Sequence, residues 1–105
     1  MRKHLQELVE LLHKCGEQSG AQRVTTALAG TEADFQEFLT SNTLWGGAGS
    51  IADQAGDSSG ARSEARRDIE QVLVRLGREQ IRSGHVNERT AMWVDAFEKW
   101  ARNGI

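Results

Sequence analysis

A chain of 105 residues with 27 large apolar side chains (Leu, Ile, Val, Met, Phe and Trp) can build one modest core in one domain, 1–105, and leaves little for a deep internal cavity. Thirteen Lys and Arg stand against fifteen Asp and Glu, a net charge of −2, which argues against a nucleic-acid partner because such binders carry a strong basic excess. No run approaches the ~20 apolar residues that cross a bilayer, Gln6, Glu7 and Glu10 interrupt any signal-peptide core, and the single Cys15 cannot form an internal disulfide, so the expected setting is the cytoplasm, away from membranes.

The first expected helix covers residues 2–15, where Leu5, Leu8, Val9, Leu12 and Cys15 recur on one face and Gly16 stops the run. A weaker helix follows over 17–29, with Ala21, Val24, Ala27 and Leu28 aligned but Gly20 costing about 1 kcal/mol relative to alanine. Thr31-x-x-Asp34 opens a third helix, 32–41, as a capping box, with Phe35, Phe38 and Leu39 inward. Asn42 and Thr43 then break it.

The loop beginning at Leu44-Trp45 is the one stretch that helix building does not explain. Gly46, Gly47 and Gly49 follow the tryptophan, and Ser50 can cap a short helical turn in which Asp53 sits three residues on. Gly56–Gly60 reads as a polar, exposed linker. The longest helix is expected over 61–83, with Ala65, Ile69, Val72, Leu73, Leu76 and Gln80 on one face and Arg67, Arg75, Arg78 and Arg82 nearly opposite. Gly77, at the edge of the apolar stripe, lets a neighbouring helix come close. Asn87 caps a last helix, 88–102, with Trp93, Phe97, Trp100 and Ala101 inward. The sum is an all-α, single-domain four- to five-helix bundle, with the glycine-rich loop between the third helix and the long fourth helix. The first helix and the two long C-terminal helices should form its main layer.

Chemistry is sparse. The glycine loop has the parts of an anion cradle, but neither the lysine of a P-loop nor the strand of a dinucleotide fingerprint, and the Asp53 carboxylate would repel a phosphate. The simpler reading is a tight structural loop in which Ser50 and Asp53 cap the turn. His4 and His13 lie about 180° apart on one helix, and no Cys or His pair has ligand spacing, so no metal and no cofactor are expected. Ser50, Asp53 and His85 supply the residue types of a hydrolase, as any chain of this size does by chance, so no catalytic residue is assigned. Most of the arginines alternate with Glu64, Asp68, Glu70 and Glu79 at i±3 or i±4, the pattern of a solvated, ion-paired face. Trp45, beside the glycines, is the tryptophan expected to be partly exposed, and exposed tryptophan favours protein interfaces.

The Leu8-Val9-Glu10-Leu11-Leu12 helix, the loop from Leu44-Trp45-Gly46-Gly47 through Gly49-Ser50-Ile51 to Asp53, and the helical tail with Arg89-Thr90-x-x-Trp93 together resemble a group of small bacterial proteins classed as a domain of unknown function. The resemblance covers residues 5–56 and implies a helical fold and a bacterial origin; it carries no catalytic residues. In size and helical style the chain is also similar to immunity proteins that neutralise secreted toxins. The resulting expectation is a non-enzymatic module that binds an unidentified protein partner through Trp45, Gly46, Gly47, Gly49, Ser50 and Asp53. The alternative is a small anionic ligand held at the same loop and the Ser50 helix start.

Overall fold

In a computed structural model, residues 1–47, 49–55 and 64–103 are described. They form seven helical segments and no strand: α1 (Arg2–Lys14), α2 (Gln18–Ala29), α3 (Glu32–Leu39), α4 (Asn42–Trp45), α5 (Ile51–Ala55), α6 (Glu64–Ser83) and α7 (Thr90–Arg102). Five of them have eight residues or more, which matches the expected all-α bundle. The Gly56–Gly60 linker and the first three residues of the expected 61–83 helix lie outside the described residues.

Local chemistry sets the helix ends. After α1, Gly16 adopts φ 76°, its N–H donates to the His13 carbonyl, and the Glu17 N–H donates to the Leu12 carbonyl at 2.9 Å. That pair of bonds is a Schellman stop. The capping box of α3 is present in both directions: the Asp34 N–H donates to Thr31 Oγ1 at 3.1 Å and the Thr31 N–H to Asp34 Oδ2 at 3.2 Å. Asn42 and Thr43 do not break the chain into a loop. Ser41 caps a further turn, α4, by accepting from the Leu44 N–H, and the first residues of a helix need no intrahelical acceptor for their N–H groups. At the other end of the molecule α7 starts two residues later than expected, because Asn87 Oδ1 accepts the Arg89 N–H in a local turn and leaves Arg89 as the flanking residue.

α6 is the axis. It packs against α1 on one side and α7 on the other, and α2 lies on α1. Leu5, Leu8 and Leu12 of α1 meet Ile69, Val72, Leu73 and Leu76 of α6 in one buried cluster, joined by Phe35, Phe38 and Leu39 of α3 and Phe97 of α7. Arg75 and Arg78 stay at the surface as expected, but their carboxylate partners come from neighbouring helices. Arg75 reaches Glu7 of α1 at 3.3 Å and Arg78 reaches Glu98 of α7, while Glu79 pairs with His4 at 3.2 Å. Packing brings α1 and α7 alongside, so Arg75 takes Glu7 although Glu79 stands one turn away, and Arg78, with no acid three or four residues off, takes Glu98. Arg2 similarly ties α1 to α3 through Glu32 at 2.7 Å, and the Gln36 amide followed by the Arg2 guanidinium holds the Glu32 carboxyl below its ordinary pKa.

Both α4, through Trp45, and α5 pack against α6. At one end Trp45 lies over Gly77 beside Thr90 and Val94 of α7; at the other, Gln54 comes within 3.9 Å of the position a Cβ on Gly20 of α2 would take. No helix among the described residues is long and apolar enough to cross a membrane.

Candidate functional site

The glycine turn is fixed mainly by its own polar groups. The Ser50 N–H donates to the Gly47 carbonyl at 3.1 Å, and Gly49 takes φ 85°, the left-handed region that favours glycine at this place in a turn. Ser50 Oγ donates to the Gly46 carbonyl at 2.9 Å and accepts the Asp53 N–H at 3.0 Å. Asp53 Oδ2 in turn accepts the Gly49 N–H at 3.0 Å. Ser50 and Asp53 therefore cap α5, as the structural reading of the loop expected.

These bonds limit the chemistry. The Gly49 and Ser50 N–H groups that an anion cradle would aim outward are already bonded within the turn. The Ser50 hydroxyl is buried and engaged on both sides, and the exposed His85 imidazole makes no hydrogen bond to Ser50 or Asp53. Among the described residues no group of three His, Cys, Asp or Glu could hold a metal ion.

Trp45 is not exposed. Its relative accessibility is 0%, and its indole N–H donates to Gln80 Oε1 at 2.9 Å. The expectation failed because the place for the ring is made by residues far along the chain. A Cβ on Gly77 would run into Val94 and lie 3.2 Å from the Trp45 ring, so only glycine leaves the gap that the indole fills. Gln80, itself fully buried, supplies the acceptor. Its amide nitrogen donates to the carbonyls of Leu39 at 2.7 Å and His85 at 2.9 Å, so one side chain ties α3, α4 and the α6–α7 link together. Gly46 is buried as well; a side chain there would run into the Asn42 carbonyl.

Of the six residues expected to bind, then, Trp45, Gly46 and Ser50 face inward, Asp53 is half-buried, and only Gly47 and Gly49 offer backbone at the surface. What borders them was not foreseen. The Arg89 guanidinium lies against Gly47, where a Cβ would come within 3.1 Å of Nη1. Arg23 of α2 donates to the Gly49 carbonyl at 3.5 Å. Trp93 of α7 is half-buried, and its indole N–H is shared between the carbonyls of Trp45 at 3.1 Å and Gly46 at 3.2 Å.

α7 continues this surface. At about 100° per residue, Arg89, Met92, Trp93, Ala96 and Trp100 fall within roughly 100° of arc. Arg89 and Met92 are exposed, Met92 at 51%, while Trp93, Ala96 and Trp100 are half-buried. Phe97 lies between the two tryptophans with ring centroids 5.6 Å from each, and only Phe97 of the three is sealed in the core. The expected inward set is corrected accordingly: Trp93 and Trp100 stand at the boundary and Ala101 is exposed. The spacing of these residues was available in the sequence as a helical arc mixing arginine, methionine and tryptophan. Comparison with protein-family models, with curated proteins and with solved structures finds no match.

Proposed function

We propose that the chain is a non-enzymatic protein-interaction module whose contact face is the open arc of α7 together with the outer edge of the glycine turn. One observation carries the reading: Trp93 and Trp100 remain half-exposed on the same arc as the exposed Met92 and Arg89. Tryptophan, methionine and arginine are the residue types enriched where proteins bind one another, because they offer large contact area with a polar or adaptable end. A cytoplasmic, bacterial setting and an immunity-like role, in which the module neutralises a toxin by direct binding, form the specific version of this proposal; size and helical build support it.

The test is capture of a partner by the native chain and by an M92S/W100S variant, with helicity followed by circular dichroism. Loss of the same captured protein while the variant stays helical supports the face; undiminished capture rejects it. For the immunity-like version, the genes flanking this one are searched for a toxin-like product, which is expressed alone and together with the chain; absence of any such neighbour counts against this version. Restored growth, abolished by M92S/W100S, is the expected result.

A second reading, a small anionic ligand at the same turn, is favoured by one specific observation: two guanidinium groups, from Arg23 and Arg89, lie at Gly49 and Gly47. Thermal-shift measurements with nucleotides and acidic metabolites test it, and absence of any shift at millimolar concentration ends it.

A further inference from the structure

We propose that the open cavity between α2, α3 and α4 binds a small zwitterion, an α-amino acid with an aliphatic side chain, with the ligand's carboxylate on Arg23 and its ammonium group on Glu37. The proposal goes beyond the interaction reading and is separate from it in place, since no residue of α7 lines this cavity.

The cavity has a volume of about 350 Å³, within the roughly 300–1,000 Å³ that ligand sites occupy. Arg23 borders it from α2, Asp34 and Glu37 from α3, and Thr43 from α4. Ala27 and Phe38, both buried, give it an apolar floor.

Unlike charges held apart are what distinguish this place. Elsewhere a guanidinium and a carboxylate from different helices close into a pair, Arg2 with Glu32, Arg75 with Glu7 and Arg78 with Glu98. Arg23 and the two α3 carboxylates border one cavity, yet no ion pair joins them, and Glu37 has no cationic partner among the described residues. Arg23 gives a single long hydrogen bond, 3.5 Å, to the Gly49 carbonyl and keeps most of its five N–H donors open. Asp34 is more committed, because its Oδ2 accepts the Thr31 N–H in the capping box of α3. Glu37 is therefore the open carboxylate, and Asp34 adds to its field.

The balance of charge selects the ligand. Arg23, Asp34 and Glu37 sum to about −1 when all are ionised. A simple anion is drawn by Arg23 and repelled by the carboxylates, and a simple cation is opposed by Arg23. A molecule with a carboxylate and an ammonium group a few bonds apart meets each charge with its opposite. The guanidinium fork suits a carboxylate in bidentate fashion, and the Thr43 hydroxyl is a further polar group on the wall. The buried floor of Ala27 and Phe38 favours an aliphatic side chain over a charged one.

The experiment is an amide NMR titration of the full chain with L-leucine at fixed pH and ionic strength. N-acetyl-L-leucine keeps only the carboxylate, L-leucinamide keeps only the ammonium group, and inorganic phosphate is the simple anion. Saturable shifts in the millimolar range should centre on the amides of Ala27, Gly30, Phe38 and Thr43, and both blocked forms should bind about tenfold more weakly or worse, as loss of a charge-assisted bond implies. R23Q and E37Q, both at exposed positions, should each weaken the Kd about tenfold while circular dichroism stays unchanged. R23K, with charge but no fork, should fall between. The pattern of loss carries the assignment: R23Q should abolish the preference for leucine over leucinamide, and E37Q the preference for leucine over its N-acetyl form. Absence of saturable shifts with leucine overturns the proposal, as do shifts centred away from these walls or equal binding of either blocked form. The same shifts from phosphate would make this a simple anion site and overturn it too. Each of these failures leaves the α7 face, tested through M92S/W100S, where it stood.

Discussion

Trp45 and Trp93 meet at the same glycine turn and direct their indole N–H groups to different places. Trp45 donates into the core, to Gln80, while Trp93 donates to the carbonyls of Trp45 and Gly46 and keeps part of its ring in solvent. Both rings are thus polar-satisfied, but only the first has a cavity shaped for it, above Gly77. Whether an aromatic beside a flexible stretch becomes core or surface is decided by what the opposing helix lacks. Here α6 lacks a side chain at residue 77 and offers an amide one turn on at residue 80. The turn is consequently a fastener on its inner side, and whatever it recognises must be met by its outer edge and by α7.

The largest effect that would sharpen this contrast is expected from Trp45→Ala. Emptying a fully buried indole site should cost about 3–5 kcal/mol, a large share of the ~5–15 kcal/mol available to a domain of this kind. Urea unfolding followed by circular dichroism measures it. A loss below about 1 kcal/mol would mean that the ring is not the fastener described, and the division between inner and outer tryptophans would dissolve.

Gln80→Leu comes next. Leucine occupies comparable space but leaves the Trp45 N–H and the carbonyls of Leu39 and His85 without their partner, and orphaned buried polar groups cost about 1–3 kcal/mol each before any relaxation. A net destabilisation of about 3 kcal/mol is expected. A Trp45→Phe/Gln80→Leu double variant should be less destabilised than the sum of the two single ones, because the missing N–H and the missing acceptor cancel. Strict additivity would show that the hydrogen bond does not couple them.

Much of the frame was legible in the sequence, for physical reasons that can be named. The stripe of Leu5, Leu8 and Leu12, the Thr31–Asp34 capping box, the close approach at Gly77 and the capping roles of Ser50 and Asp53 are all local or periodic, so the chain states them within a few residues. The burial of Trp45 is a different kind of fact, since its acceptor stands 35 residues away and its gap 32 residues away. The partners of Arg75 and Arg78 escaped for the same reason: helical spacing offers Glu79 to Arg75 and no acid to Arg78, and only the packing of α1 and α7 supplies the ones taken. The candidate face was half visible. Its arc on α7 follows from spacing, but the meeting of Arg23 and Arg89 at one turn depends on tertiary structure alone.

Two glycine substitutions test whether glycine at a helix interface here means close approach or merely low propensity. Gly77→Ala should destabilise by about 1–3 kcal/mol, since the added methyl must displace Val94 and crowd the Trp45 ring. Gly20→Ala should stabilise by about 1 kcal/mol, because its methyl meets Leu12 at 3.6 Å, an ordinary contact, and the gain in helix propensity is unopposed. Thermal melts of both variants give the comparison directly. Opposite signs support the distinction; a Gly77→Ala variant stabilised as Gly20→Ala is would remove Gly77 from its role in seating Trp45.

The smallest effect is expected on the open side. Met92 is 51% exposed, so Met92→Ser should change stability by no more than about 0.5 kcal/mol, as surface substitutions do. The value of that measurement lies in its concentration dependence. If a second copy covered the α7 face, folding and association would be linked, and the same substitution would lower the melting temperature more at high protein concentration than at low. A concentration-independent and near-zero change instead leaves Met92 free in the isolated chain, which is the condition under which an apolar side chain on this arc is available to something else.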